Sequence, residues 1–171
     1  MATYKIAYPG EGWPSVTVTG TYATSTNVYP PLKFGQIVDA YDATFGRGQF
    51  IFVYGSNITA GNLCQITGAS YGARVAGSGT LSAGPLGFAP AAMSATNVWG
   101  FLQIGGVFDS ASHSAAAAAG AAIKMGTVAG AIDVQSASND VYQIGGMYNA
   151  SSNTASNAAS VMLNNPYFKG Y

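Results

Sequence analysis

A chain of 171 residues fits one domain, or one domain with an arm. Only 7% of its residues are charged, against an ordinary share of about 25%, and six cations balance six anions. That balance excludes the basic footprint that phosphate neutralisation needs, and with it nucleic acid as an expected partner. Because near-zero net charge promotes association, much of the surface is expected to be covered by other subunits.

The single Cys64 excludes an intrachain disulfide framework, and no Cys and His spacing resembles a zinc site. Met1 to Lys5 leads to Pro9, Gly10 and Glu11 and not to an apolar run of about 7 to 15 residues, so no secretory signal is expected. The charge-free stretches between Arg74 and Asp109 and between Asp140 and Lys169 are broken by Gly, Pro, Ser, Thr and Asn. Neither is a membrane helix, which needs about 20 mainly apolar residues in one run.

In chain order, residues 1–35 read as an extended arm, since Pro9, Pro14, Pro30 and Pro31 with Gly10, Gly12 and Gly20 forbid helix. Tyr4, Tyr8, Trp13, Tyr22, Tyr29 and Phe34 punctuate it, and rings carry large burial energy only when something receives them. They either pack on the chain's own body or anchor the arm to a neighbouring molecule; the second is preferred.

Residues 36–171 read as a β-rich body. Gln49 to Tyr54 is a strand apolar on both faces, with Phe50 and Phe52 in the core. Asn62 to Thr67 is a second strand, with Cys64 sharing the buried face of Ile66. Ala73 to Ala76 and Pro85 to Ala89 follow, then Val98 to Ile104, the strongest strand signal, with Trp99 expected in the core. The Ala-rich residues 111–122 allow at most one short helix, opened by Ser112 or Ser114. Leu102 to Phe108 is echoed by Tyr142 to Tyr148, and each Gly-Gly is read as a strand-to-turn corner with a positive φ. Residues 149–160 read as a loop, and Tyr167, Phe168 and Tyr171 as a second set of aromatic anchors.

No catalytic, cofactor or metal site is expected. His113 lies between Ser112 and Ser114 near Asp109, but the nucleophile elbow that would give this spacing meaning is missing. Asp39 and Asp42, three apart in a strand, point to opposite faces. No calcium loop, phosphate loop or dinucleotide fingerprint occurs. Rings interleaved with aliphatics are core residues more often than sugar platforms, although a glycan-binding module stays open as an alternative.

The run of elements from the strand Phe50 to Tyr54 through Ala60 to Ile66, Gly87-Phe88-Ala89, Trp99 to Gly106, the Ala-rich stretch and Ile123 to Val134 resembles the small capsid decoration, or cement, proteins of bacteriophages. The resemblance covers about residues 36–135 and rests on Gly, Ala and aromatic placement. It implies an all-β sandwich or barrel-like body, no turnover, and a structural role on the outer surface of the virion, the protein being made in the bacterial cytoplasm. It also implies two kinds of partner: the major capsid protein, whose subunits it bridges to stabilise the head, and copies of itself, as a trimer or else a dimer. Neither nucleic acid nor membrane is among them. The contacts are expected from Tyr4, Tyr8, Trp13, Tyr22, Tyr29 and Phe34 in the arm and Tyr167, Phe168 and Tyr171 in the tail. A fibre or receptor-binding module and a tail-tube or head-completion component are the alternative readings.

Overall fold

Val38, Ala40 and Asp42 are buried while Ile37 and Tyr41 face outward, the period of two expected of a strand covered on one side. The computed structural model describes residues 4–6, 15–17, 19–21, 30–68, 71–77, 84–96, 98–114, 116, 118–135, 143–151 and 158–168. Twelve strands run through them: β1 Lys5–Ile6, β2 Gly20–Thr21, β3 Ile37–Asp42, β4 Gly46–Gly55, β5 Leu63–Thr67, β6 Gly72–Val75, β7 Gly84–Phe88, β8 Val98–Ser112, β9 Ala122–Met125, β10 Ile132–Val134, β11 Gln143–Asn149 and β12 Ala158–Phe168. The protein is all-β, with no helix among the described residues.

Five strands close on themselves. β4 pairs antiparallel with β8 from Gln49 to Gly55 and in parallel with β6 at Tyr54↔Gly72. β6 pairs with β5, β5 with β7, and β7 meets β8 again at Phe88↔Gln103. The ring β4–β6–β5–β7–β8 is a small barrel, which leaves none of its members as an open sheet edge. Ile51, Val53, Cys64, Ile66, Ala73, Leu102 and Ile104 fill it. Cys64 is fully buried beside Ile66, as its place in the strand predicts.

Two further cores flank the barrel. Leu63, Leu86, Phe88 and Phe108 point away from its interior and pack under β9 to β12, against Ile123, Ile132, Ile144, Met147, Val161 and Leu163. On the other side Val38, Phe50, Phe52 and Phe101 are covered by Tyr4, Val16 and Leu32, with Phe34 and Trp99 packed alongside. Phe50 and Phe52 are fully buried, and Trp99 is half-buried. The described parts of residues 1–35 are therefore bound into the body: β1 adds to β3 at Lys5↔Tyr41 and β2 to β8 at Gly20↔Trp99.

The structure corrects three local expectations. The helix expected within residues 111–122 does not form in the described part. There β8 continues to Ser112, paired with Ala158, and the Ser114 amide donates to the Ile132 carbonyl at 2.8 Å, so tertiary pairing overrides alanine's helix propensity. Residues 158–160, read as loop, begin β12 for the same reason.

The third correction concerns the two Gly-Gly pairs, which lie inside strands at or beside register shifts and not in turns. On β8 the β4–β8 register shifts between Gln103 and Gly105, with Gly106 (φ +84°) directly after it, and the β11–β12 register shifts at Gly146 (φ +70°) itself. A Cβ at Gly106 would stand 2.4 Å from the Arg47 carbonyl oxygen, and one at Gly146 2.4 Å from that of Asn164. The echoed sequence thus places a positive-φ glycine inside a strand twice, on the two flanks of β12. A bulge frees carbonyls from the ladder, and buried Gln103 answers this by donating its side-chain amide to the Gly105 and Val107 oxygens, both at 3.0 Å.

Candidate functional site at the barrel mouth

The barrel interior opens at one end. Val53, Cys64 and Leu102 are fully buried, whereas Ile51, Ile66 and Ile104, one step along the same strands, are the floor of a groove of about 520 Å³. Its walls are Ile37, Gly84, Pro85, Leu86, Asn165, Pro166 and Tyr167. The volume lies within the roughly 300 to 1,000 Å³ typical of binding clefts. Ile37 at 53% and Tyr167 at 49% exposure form the rim, and no lining side chain is charged at neutral pH.

A kink in β12 places Tyr167. The strand follows β8 as far as Asn164↔Gly105, then crosses to β7 at Tyr167↔Pro85. Between those pairs stand Asn165, in the left-handed region at φ +46°, and Pro166, which has no N–H to give to a ladder. The Tyr167 ring lies against the Gly145 backbone so closely that a Cβ there would fall 2.4 Å from it. The ring is thereby packed on β11 while remaining half-exposed at the rim.

Beyond the rim the same sheet face turns polar. Along that face the positions pass from Ile37 to Asp39 and Tyr41 on β3 and from Ile51 to Gln49 and Arg47 on β4. Arg47 grips Asp39 in a bidentate pair, Nη2 to Oδ2 at 2.8 Å and Nε to Oδ1 at 3.1 Å, and the Gln49 amide donates to Oδ1 at 3.2 Å. The Arg47 hydrogen bond holds the Asp39 carboxyl below the usual carboxylate range. Asp42 points to the opposite, buried face and accepts the amides of Thr44 and Phe45, so the two carboxylates do not converge.

The expected contact residues divide. Tyr167 is at the rim. Tyr4 is a correction: it is 3% exposed, meets Phe50 edge to face at 5.1 Å and donates its hydroxyl to the Val107 carbonyl at 2.6 Å, so the chain's own core receives it. Phe34 likewise stacks on Phe52 at 5.3 Å. Phe168 ends β12, paired with Gly84. Tyr8, Trp13, Tyr22, Tyr29 and Tyr171 lie outside the described residues.

The sequence reading missed Ile37, Ile51, Ile66, Ile104, Pro85 and Pro166. Each looks like ordinary strand punctuation, and only ring closure gathers them. His113 is 3% exposed and bridges Ile132 through its backbone. Among the described residues no group of three or more His, Cys, Asp or Glu side chains could hold a metal ion. No protein-family profile matches the chain, and no curated protein matches it.

Proposed function

We propose that this protein is a virion structural component, a capsid decoration protein that binds the outside of a phage head and bridges neighbouring major capsid subunits. The barrel mouth carries the reading: an uncharged apolar groove with two half-exposed large side chains, on a chain with only 7% charged residues. Cementing a shell means burying apolar area that water would otherwise meet, at roughly 25 cal/mol per Å². Ordering the partners offsets much of that gain, and repetition of the contact around a symmetry axis restores it through multivalency. With Tyr4 and Phe34 committed to the body, the contact surface centres on Tyr167 and the mouth.

Full burial of a large apolar side chain is worth about 1.5 to 3 kcal/mol, so covering what Ile37 and Tyr167 expose contributes about 1 kcal/mol each. The double variant Ile37→Asp, Tyr167→Ser is therefore expected to lose at least about 30-fold in affinity for shells, taking the two losses as roughly additive. Gel densitometry against the major shell protein reads the copy number, and an unchanged melting temperature shows that the fold survives. Wild-type occupancy by the double variant refutes the assignment. So does a wild-type count of only a few copies per particle, which marks a vertex or tail component, or specific retention on a glycan array, which marks a fibre module.

A further inference from the structure

We propose that the occupant of the mouth is an extended, uncharged segment of the partner polypeptide, an aliphatic residue entering the groove and a small hydroxyl or amide residue two positions on lying over Asp39, Arg47 and Gln49. The inference rests on the reading of the mouth as a docking surface and names what it accepts.

Charge gives the first reason. None of the ten lining residues is ionised at neutral pH, so an entering charge would lose its hydration and gain no counter-charge, which is unfavourable. Size gives the second. One turn of an α-helix, a cylinder about 10 Å wide and 5.4 Å long, already displaces on the order of 500 Å³, so a groove of about 520 Å³ suits side chains from an extended segment better than a seated helix. The third reason is the alternation of the face. Side chains two apart on one face of a strand stand about 6.6 Å from one another, and over that step the face changes from Ile37 and Ile51 to Asp39 and Gln49. Because Arg47 and Asp39 neutralise each other at 2.8 Å, this polar shelf offers hydrogen-bonding groups without net charge, which selects Ser, Thr, Asn or Gln.

The test uses the full chain with ¹³C-labelled isoleucine methyls, since four of its isoleucines report the site directly and Ile123 and Ile132, in the flanking core, serve as internal controls. The probes are the acetylated, amidated peptide Gly-Ser-Leu-Ser-Thr-Ser-Gly and the same peptide with Glu in place of Leu. The leucine peptide is expected to move the methyls of Ile37, Ile51, Ile66 and Ile104 and not those of Ile123 and Ile132. The glutamate peptide should need at least ten times the concentration, and Tyr167→Ser, with its other methyls unchanged, should weaken the response at least three-fold. No response up to about 5 mM, where even millimolar binding would register, overturns the proposal, as does equal response to both peptides. It is also overturned if the four methyls shift with protein concentration alone, which identifies a second copy as occupant, or if octyl glucoside saturates them and the peptide does not. Should the peptides fail while Ile37→Asp still strips the protein from shells, this proposal falls and the decoration assignment stands. Should the peptides bind while shells do not, the assignment falls and the occupant class stands.

Discussion

Alanine at Gly106 and alanine at Gly46 should cost very different amounts, and the difference measures the bulge. Both glycines have positive φ, +84° and +74°, so each substitution incurs the roughly 1 to 2 kcal/mol that a side chain loses in that region, partly offset by about 0.4 to 1 kcal/mol from a stiffer unfolded chain. At Gly46 nothing lies within 4 Å of the new methyl, so a net loss of about 1 kcal/mol is expected. At Gly106 the methyl would meet the Arg47 carbonyl oxygen at 2.4 Å and the Gly48 Cα at 3.0 Å, backbone atoms that cannot rotate aside. Relief requires β4 and β8 to part, straining the two Gln103 amide bonds and the Tyr4 hydroxyl bond gathered on the bulge, each worth about 1 kcal/mol. The total is then about 3 to 4 kcal/mol. With a urea m-value of about 2 kcal/mol/M, the midpoint falls by about 0.5 M for Gly46→Ala and by 1.5 to 2 M for Gly106→Ala. Gly146→Ala, 2.4 Å from the Asn164 oxygen, should behave like Gly106→Ala. Equal midpoints for Gly46→Ala and Gly106→Ala would refute the argument.

Tyr4→Phe should cost about 1 kcal/mol in urea unfolding, because the Val107 carbonyl keeps its Gln103 donor. Burial raises the Tyr4 phenol above its ordinary value of 10, so its contribution is whole below pH 10 and fades as the pH climbs through the higher folded value. The wild-type protein should therefore lose stability faster than the Phe variant above pH 10, and parallel curves would count against that. Asp39→Asn removes a carboxylate held low by Arg47, whose contribution exists above about pH 3.9 and disappears as the pH falls through the lower folded value. The pair is exposed, so the variant should lie within about 0.5 kcal/mol of wild type at neutral pH and converge with it in acid; a gap that widens there contradicts the assignment. Burial pushes the Cys64 thiol far up, so a disulfide reagent should label it only as fast as the chain unfolds, and immediate labelling would show the barrel to be open.

The strands that can be read from the chain are those whose signal is local. β4, β5 and β7 show apolar runs bounded by Gly or Pro, and Cys64 beside Ile66 follows from their alternation. What the chain conceals is non-local. The barrel depends on β4 finding β8 and on the parallel step at Tyr54↔Gly72, neither of which leaves a mark in neighbouring residues. Gly105-Gly106 and Gly145-Gly146 announce positive φ, but a turn and a bulge demand the same torsion, and only the pairing of Leu163 with both Gly106 and Met147 distinguishes them. Tyr4 looked like an anchor because its acceptor, Val107, is 103 residues away. Tyr167 was visible as part of an aromatic tail, whereas Ile37, Ile51, Ile66 and Ile104 come from four strands and acquire their exposure only from the place where the ring ends.

Every strand of the ring falls between Gly46 and Ser112, and the first of them, β4, is sealed by the last, β8. On the ribosome this interior has all its parts once Ser112 has emerged, before any of β9 to β12 has left the exit tunnel. β8 then serves as the template on which β12 is laid, and β12 receives β11. Until then the apolar flank bearing Phe88 and Phe108 stays bare, and at 5 to 20 residues per second the wait for residues 113–168 lasts roughly 3 to 11 s. The nascent protein therefore passes through an interval of seconds with one leaf folded and a sticky side uncovered, which is long enough for chaperones to compete for it.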